Sequence, residues 1–172
     1  MLSISVAIGI VVGLIIALVI MKVSNKDKKM ITEYDERQKA VRGKAYMYAF
    51  YGVSISNVIL LILCLDWKNL IQVMGMNVFF LPILVGILIQ VTYCIFHDGF
   101  VGLNNNMTRY MVIMTLISVF NLVCGIMPWV KNGFIQEGEI YPGFINLVVG
   151  ILFIVIGIEM AIKKCMDKKT AD

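Results

Sequence analysis

Five stretches of the chain run almost without charge for about the length of a bilayer crossing. They are Leu2–Met21, Tyr46–Leu65, Met76–Phe96, Tyr110–Val130 and Phe144–Ile162, and a crossing helix needs about 20 mainly apolar residues. Of the 15 Lys and Arg and 11 Asp and Glu residues, only Glu159 falls inside them. Backbone amides in hydrocarbon must be paired within their own segment, which predicts an α-helix for each stretch. Period-2 alternation is absent, so a membrane β-barrel is not expected. The predicted fold is all-α: a polytopic helical membrane protein with five transmembrane helices, a single membrane domain over residues 1–172. One N-terminal helix precedes two antiparallel hairpins, 46–97 and 110–163. Asn57, Cys64 and Trp67 in the first hairpin echo Asn121, Cys124 and Trp129 in the second, at offsets of 60 to 64 residues. The registers do not match cleanly, and either a hairpin duplication or a chance echo of apolar low complexity, which arises easily, would account for this.

Composition supports the membrane reading. The apolar share is 60%, charged residues make up 15%, and mean hydropathy is +0.88. A soluble domain carries about 25% charged residues, and a disordered chain is poor in apolar ones.

Charge sets the expected orientation. The 22–45 loop holds eight Lys and Arg residues, and placing it inside puts 13 of the 15 on the cytoplasmic side. The expectation is N-out, C-in. Trp67 and Trp129 then fall at outer ends, and Tyr46, Tyr48, Tyr93, Phe96 and Tyr110 at inner ends, as interfacial aromatics do. The first stretch has no positive n-region and no cleavage site, so it is expected to be a retained anchor.

The 22–45 loop is the only polar segment of any size. Lys22–Lys29 carries four lysines and would lie against anionic headgroups, each Lys worth ~1 kcal/mol. Glu33–Lys44 is expected to form an amphiphilic helix running into the second span, with a soft point at Gly43. Thr32 and Asp35 have capping-box spacing. Glu33 and Arg37, and Asp35 and Lys39, are acid-first i,i+4 pairs. Two readings fit: a solvated, self-paired helix, or a docking face for a cytoplasmic partner centred on Asp35, Glu36 and Arg37.

Within the spans, small residues mark close helix approach. Ser5, Gly9, Gly13 and Ala17 form one stripe, Asn146, Gly150, Gly157 and Ala161 a second, and Pro82, Gly86, Gln90 and Cys94 a third. Such a face would meet another helix of the chain or a second copy. Asn57, Gln90 and Asn121 should point into the bundle, as structural hydrogen-bonding groups or as a mid-membrane polar site. Glu159 is three residues from the end of its span, with Lys163 one turn on. It fits a surface-reaching ion pair or, with the three amides, a polar path of a small transporter or channel.

No catalytic constellation is visible. His97 is the one histidine, and His97-Asp98 fits a helix end better than an acid–base pair. No cofactor, metal site or direct nucleic-acid binding is expected. Cys64, Cys94, Cys124 and Cys165 suggest no structural disulfide. Asn106-Met107-Thr108 matches a glycosylation acceptor on the side where it would not be used.

Tyr34-Asp35-Glu36-Arg37-Gln38, followed by Arg42-Gly43-Lys44-Ala45 and an aromatic-rich span opening, resembles small uncharacterised membrane proteins of Gram-positive bacteria. Those carry a DERQ-type motif just before a transmembrane hairpin, commonly with four spans where five are predicted here. The resemblance implies a bacterial plasma membrane and no assigned activity. Some such proteins are thought to sit beside small transcription regulators, which makes Asp35–Arg37 a docking candidate.

Overall fold

A computed structural model describes residues 19, 22, 31–67, 69–75, 77–141 and 143–169. Apart from Val19, the first predicted span with Gly9 and Gly13 lies outside the described residues, as does all of Lys22–Lys29 beyond Lys22. The five-helix count and the sidedness therefore rest on sequence alone. Helix α1 covers Glu36–Asp66, α2 Leu70–Met74, α3 Asn77–Phe96, α4 Met107–Asn132 and α5 Phe144–Lys169. Strands β1 (Ile135–Gln136) and β2 (Glu139–Ile140) pair antiparallel between α4 and α5. Helices α1, α3, α4 and α5 are long and apolar enough to cross a membrane.

The local sequence explains where the helices begin. Asp35 caps α1: its carboxylate accepts from the Gln38 N–H at 2.6 Å, and the Gln38 side chain accepts from the Asp35 N–H at 3.3 Å. The capping box is thus Asp35 with Gln38 rather than Thr32 with Asp35, and the helix starts three residues later than expected. It then runs through Gly43 without a break, because the packing of its later turns outweighs the small helix penalty of one glycine. Asn106 caps α4, accepting from the Thr108 and Arg109 N–H groups at 2.9 and 3.4 Å. The acceptor-like Asn106-Met107-Thr108 sequence is a helix start.

Helix α1 packs on α3, α4 packs on α5, and α3 against α5 joins the two hairpins. Small residues set these approaches, since lipid supplies no hydrophobic force between helices and close contact must. A Cβ on Gly86 would strike Val53 of α1. One on Gly125 would lie 2.7 Å from the Leu147 backbone nitrogen, and one on Gly150 2.8 Å from Leu122 Cγ. Ser118 crosses the same seam, its hydroxyl donating to the Gly150 carbonyl at 2.9 Å. Gly157 does not follow its stripe: nothing lies within 4 Å of the Cβ it lacks. It sits further along α5, where the helix face is open. The buried cluster Ile95, Leu152, Ile156 and Met160 fills the α3–α5 seam. Phe50, Ile55, Leu61, Leu116, Phe120, Ile151 and Ile158 point outward and are exposed. An apolar surface of that extent suits lipid and would aggregate in water.

The two hairpins differ in their turns. The first is closed by α2, the second by the β-hairpin. Glu137 and Gly138 both take left-handed φ, 53° and 87°, as a tight two-residue β-turn requires. Gly138 flanked by Ile135-Gln136 and Glu139-Ile140 was the available signal, but strands of two residues carry no periodicity. Phe134 anchors this end, packing edge-on to Trp129 and Phe144 and beside the fully buried Tyr141.

Candidate functional site

Among the described residues a network of polar side chains lies at one end of the bundle, where α1 begins, α3 ends, α4 begins and α5 ends. The chain before α1 lies along the α3–α4 loop. The Leu103 N–H donates to the Glu33 carbonyl at 2.8 Å. Asn104 accepts from the Glu33 N–H and donates to the Ile31 carbonyl, both at 3.0 Å. Gly102 permits this contact, because a Cβ there would strike Thr32 and come within 2.7 Å of the Glu33 oxygen.

Gln38 locks the first turn of α1 to the same loop. It is 7% exposed, and its amide nitrogen donates to the Asp98 and Val101 carbonyls at 2.9 and 3.0 Å. One helical turn on, Arg42 donates to the Tyr34 hydroxyl at 3.1 Å and to the Gly99 carbonyl and Tyr46 hydroxyl at 3.4 Å each. Its guanidinium also lies 4.3 Å from the Tyr34 ring centre. Burial pushes the Tyr34 phenol above its usual pKa, and Arg42 pulls it part of the way back.

Asp98 is the hub. Its backbone takes left-handed φ, 60°, a conformation aspartate tolerates better than most residues. That turn aims its carboxylate at two helices at once. Arg37 of α1 approaches one oxygen at 3.6 Å, and Lys163 of α5 the other at 2.8 Å. Lys163 also pairs with Asp167 at 2.7 Å and is 14% exposed. Hydrogen bonds to Asp167 and Asp98 hold its pKa above the ordinary lysine value, against the opposing effect of burial. A cavity of about 170 Å³ lies beside this cluster, with Gln38, Asp98, Lys163 and Asp167 as its polar wall. It can hold several waters, and its paired charges would favour a small zwitterionic or neutral polar guest over a lone ion.

The docking candidates separate here. Asp35 is committed to the helix cap and Arg37 leans on Asp98, while Glu36 is 92% exposed and pairs, among the described residues, with Lys39 at 2.8 Å. The acid-first pairs expected on α1 are replaced by this Glu36–Lys39 pair and by the Arg37–Asp98 contact. A roughly opposite face of α1 carries Glu36, Ala40, Gly43, Lys44 and Met47, all exposed.

The intramembrane candidates do not converge. Asn57 is exposed and donates to the Val53 carbonyl of its own helix at 2.9 Å, instead of pointing into the bundle. Asn121 does the same to Ile117 at 2.9 Å. An amide that bonds back one turn satisfies its donor without a neighbouring helix, so neither needs a partner across the bundle. Gln90 is half-buried on α3. Glu159 lines a separate groove with Tyr48, Leu88, Thr92, Tyr93, Phe96 and His97, in which the three amides take no part. The expected Glu159–Lys163 pair is absent, because Lys163 turns to Asp98 and Asp167. Thr92 donates to Glu159 Oε1 at 2.8 Å instead. His97 and Asp98 are not an acid–base pair either: His97 Nδ1 meets the Tyr93 carbonyl at 2.9 Å, and its ring stacks on Tyr93 at 4.0 Å. Among the described residues there is no metal-ligating group of three or more His, Cys, Asp or Glu side chains.

No family model matches this chain, and no curated protein or solved structure is significantly similar to it.

Proposed function

We propose that the chain is a non-enzymatic, multi-pass protein of a bacterial plasma membrane that engages a cytoplasmic protein through the exposed face of the first three turns of α1. One observation carries this reading: the start of α1 is fixed in place. Asp35 caps it, Gln38 and Arg42 tie it to the α3–α4 loop, and Asp98 ties that loop to α5. The anchoring holds the outward face of this helix in one orientation, as a docking surface requires. The anchored helix presents Glu36, Lys39 and Lys44 around the small residues Ala40 and Gly43, which admit a close approach by another backbone. Membrane lipids, with anionic headgroups at Lys22–Lys29, surround the rest, and a second copy of the chain is the alternative occupant of the face.

The test is a photo-crosslinker at Ala40 in the full chain in cells, with one at Leu116 on the apolar face of α4 as the control. The expected result is a discrete protein adduct at position 40, lost in E36K/K44E. Adducts to lipid only, or an adduct that survives the charge reversal, would overturn the reading. Asp35 is unsuitable for reversal, because its loss acts on the helix cap.

A further inference from the structure

We propose that the groove between α1, α3 and α5 binds a lipophilic organic cation, with Glu159 as its counter-ion. The inference stands apart from the docking reading and rests on a different part of the molecule.

Glu159 carries an unmet need. Its Oε1 receives the Thr92 hydroxyl at 2.8 Å, while Oε2 is buried and has no hydrogen-bond partner. The nearest cation on its helix, Lys163, is held by Asp98 and Asp167. Among the described residues no cation pairs with Glu159. A carboxylate oxygen withdrawn from water with no donor facing it is the point at which a counter-ion would be held.

The groove beside it has room for the second. Its volume is about 620 Å³, within the range of small-molecule sites. Leu88, Ile89 and Phe96 supply apolar walls, and Tyr48, Tyr93 and His97 a continuous aromatic row. Tyr48 and Tyr93 have ring centres 5.0 Å apart, and Tyr93 stacks on His97. Aromatic faces attract cations as well as apolar groups. From His97 to Leu88 the groove runs nine residues along α3, about 14 Å at 1.5 Å per residue. Tyr48 and Phe96 are exposed at its mouth, so a guest could enter from the lipid.

Charge and depth select the occupant. A carboxylate among apolar and aromatic walls is complementary to a positive charge wrapped in apolar groups, whose own desolvation is cheap. A lipid ammonium is less suitable, because its anionic phosphate would be carried close to the same carboxylate and repelled by it.

The experiment uses the full chain in phosphatidylcholine nanodiscs, with tritiated tetraphenylphosphonium as the probe and triphenylphosphine oxide as its neutral counterpart. The expected result is saturable binding of one probe per chain, not displaced by the oxide. Binding should weaken about tenfold or more in E159Q, which keeps the shape and the Thr92 contact. It should weaken roughly threefold in Y48A, which removes an exposed ring. Circular dichroism establishes that each variant is folded, and if E159Q is not, Y48A and the neutral competitor decide. Unsaturable uptake, equal binding in E159Q, or displacement by the oxide would overturn the proposal. Loss of probe binding when phosphatidylethanolamine replaces phosphatidylcholine would also overturn it, identifying a lipid amine as the occupant.

Discussion

Gln38 offers the sharpest check on how the charged end is held together. Its side chain makes two short bonds, to the Asp98 and Val101 carbonyls at 2.9 and 3.0 Å, and a longer one to the Asp35 N–H at 3.3 Å. Q38A removes all three. At a net ~1 kcal/mol per hydrogen bond the loss would approach ~3 kcal/mol. The adjacent 170 Å³ cavity lets water reach the stranded carbonyls, so the expected loss is about 2 kcal/mol. Q38E keeps the shape and replaces the donor by a carboxylate facing two carbonyl oxygens. It should be worse than Q38A at neutral pH, by about 1 kcal/mol or more. It should also recover in acid, because the protonated acid can donate one bond. The sign follows from the neutral form being favoured in the fold. The pKa of that glutamate is raised above its unfolded value near ~4.3. Its penalty is full above the folded value and absent below the unfolded one. Reversible unfolding in mixed micelles, followed by circular dichroism, measures each quantity. E36A at a 92% exposed position is the control and should shift stability by less than ~0.5 kcal/mol. Q38A within ~0.5 kcal/mol of wild type, or a Q38E that matches Q38A at every pH, would refute the locking role.

Three further outcomes are expected. G150L drives a side chain into Leu122, whose Cγ lies 2.8 Å from the missing Cβ, and should destabilise by about 2–3 kcal/mol. G157L enters open space and should stay within ~1 kcal/mol of wild type in the same unfolding assay. Lys163 has its pKa raised by Asp167 and Asp98, so its contribution is whole below the unfolded lysine value of about 10.4 and fades as pH rises beyond it; alkaline titration of stability should show this loss, and K163M should lack it. D98N/D167N frees the Lys163 ammonium to reach Glu159 one turn away in the favourable order, so tetraphenylphosphonium binding should weaken about tenfold; unchanged binding would show that Lys163 is not what leaves Glu159 open.

The apolar runs predicted four of the long helices to within a few residues at the ends that meet lipid, because hydrocarbon leaves the backbone no alternative to the helix. The pairing of the helices into two hairpins was readable from the short loops. Gly150 was readable as a packing residue, whereas Gly157, on the same stripe, was not distinguishable from it, since spacing names a face and not what lies opposite. Gly125, at the closest α4–α5 approach, belongs to no regular stripe and was missed. The amides misled for a related reason: Asn57 and Asn121 satisfy themselves on their own helices, an option that a bundle-facing argument overlooks. The Glu159–Lys163 expectation failed because Lys163 bonds to Asp98, 65 residues away in the chain, and to Asp167 one turn on. Local spacing allowed the pair, and the left-handed turn at Asp98 brought a better anion to the lysine.

The Asp35–Gln38 motif acquires a physical meaning that alters where a partner should be sought. In lipid, helices gain little from apolar association, so polar ties at the membrane boundary do much of the work of fixing one hairpin against another. On α1 the inward face runs through Gln38, Val41, Arg42 and Ala45, spaced three and four apart. Gln38 holds Asp98 and Val101, Val41 packs on Gly99, Arg42 reaches Gly99, and Ala45 is fully buried. Asp35 starts the helix in the one register that places this face correctly. Aspartate, glutamine and arginine at these intervals are thus what a helix-to-loop joint requires, with or without a partner. Any selection by a partner must then fall on the other face, at Glu36, Ala40, Gly43 and Lys44, which are exposed. Substitutions on the two faces should separate accordingly: those on the inward face lower stability, and those on the outward face alter crosslinking while leaving stability unchanged.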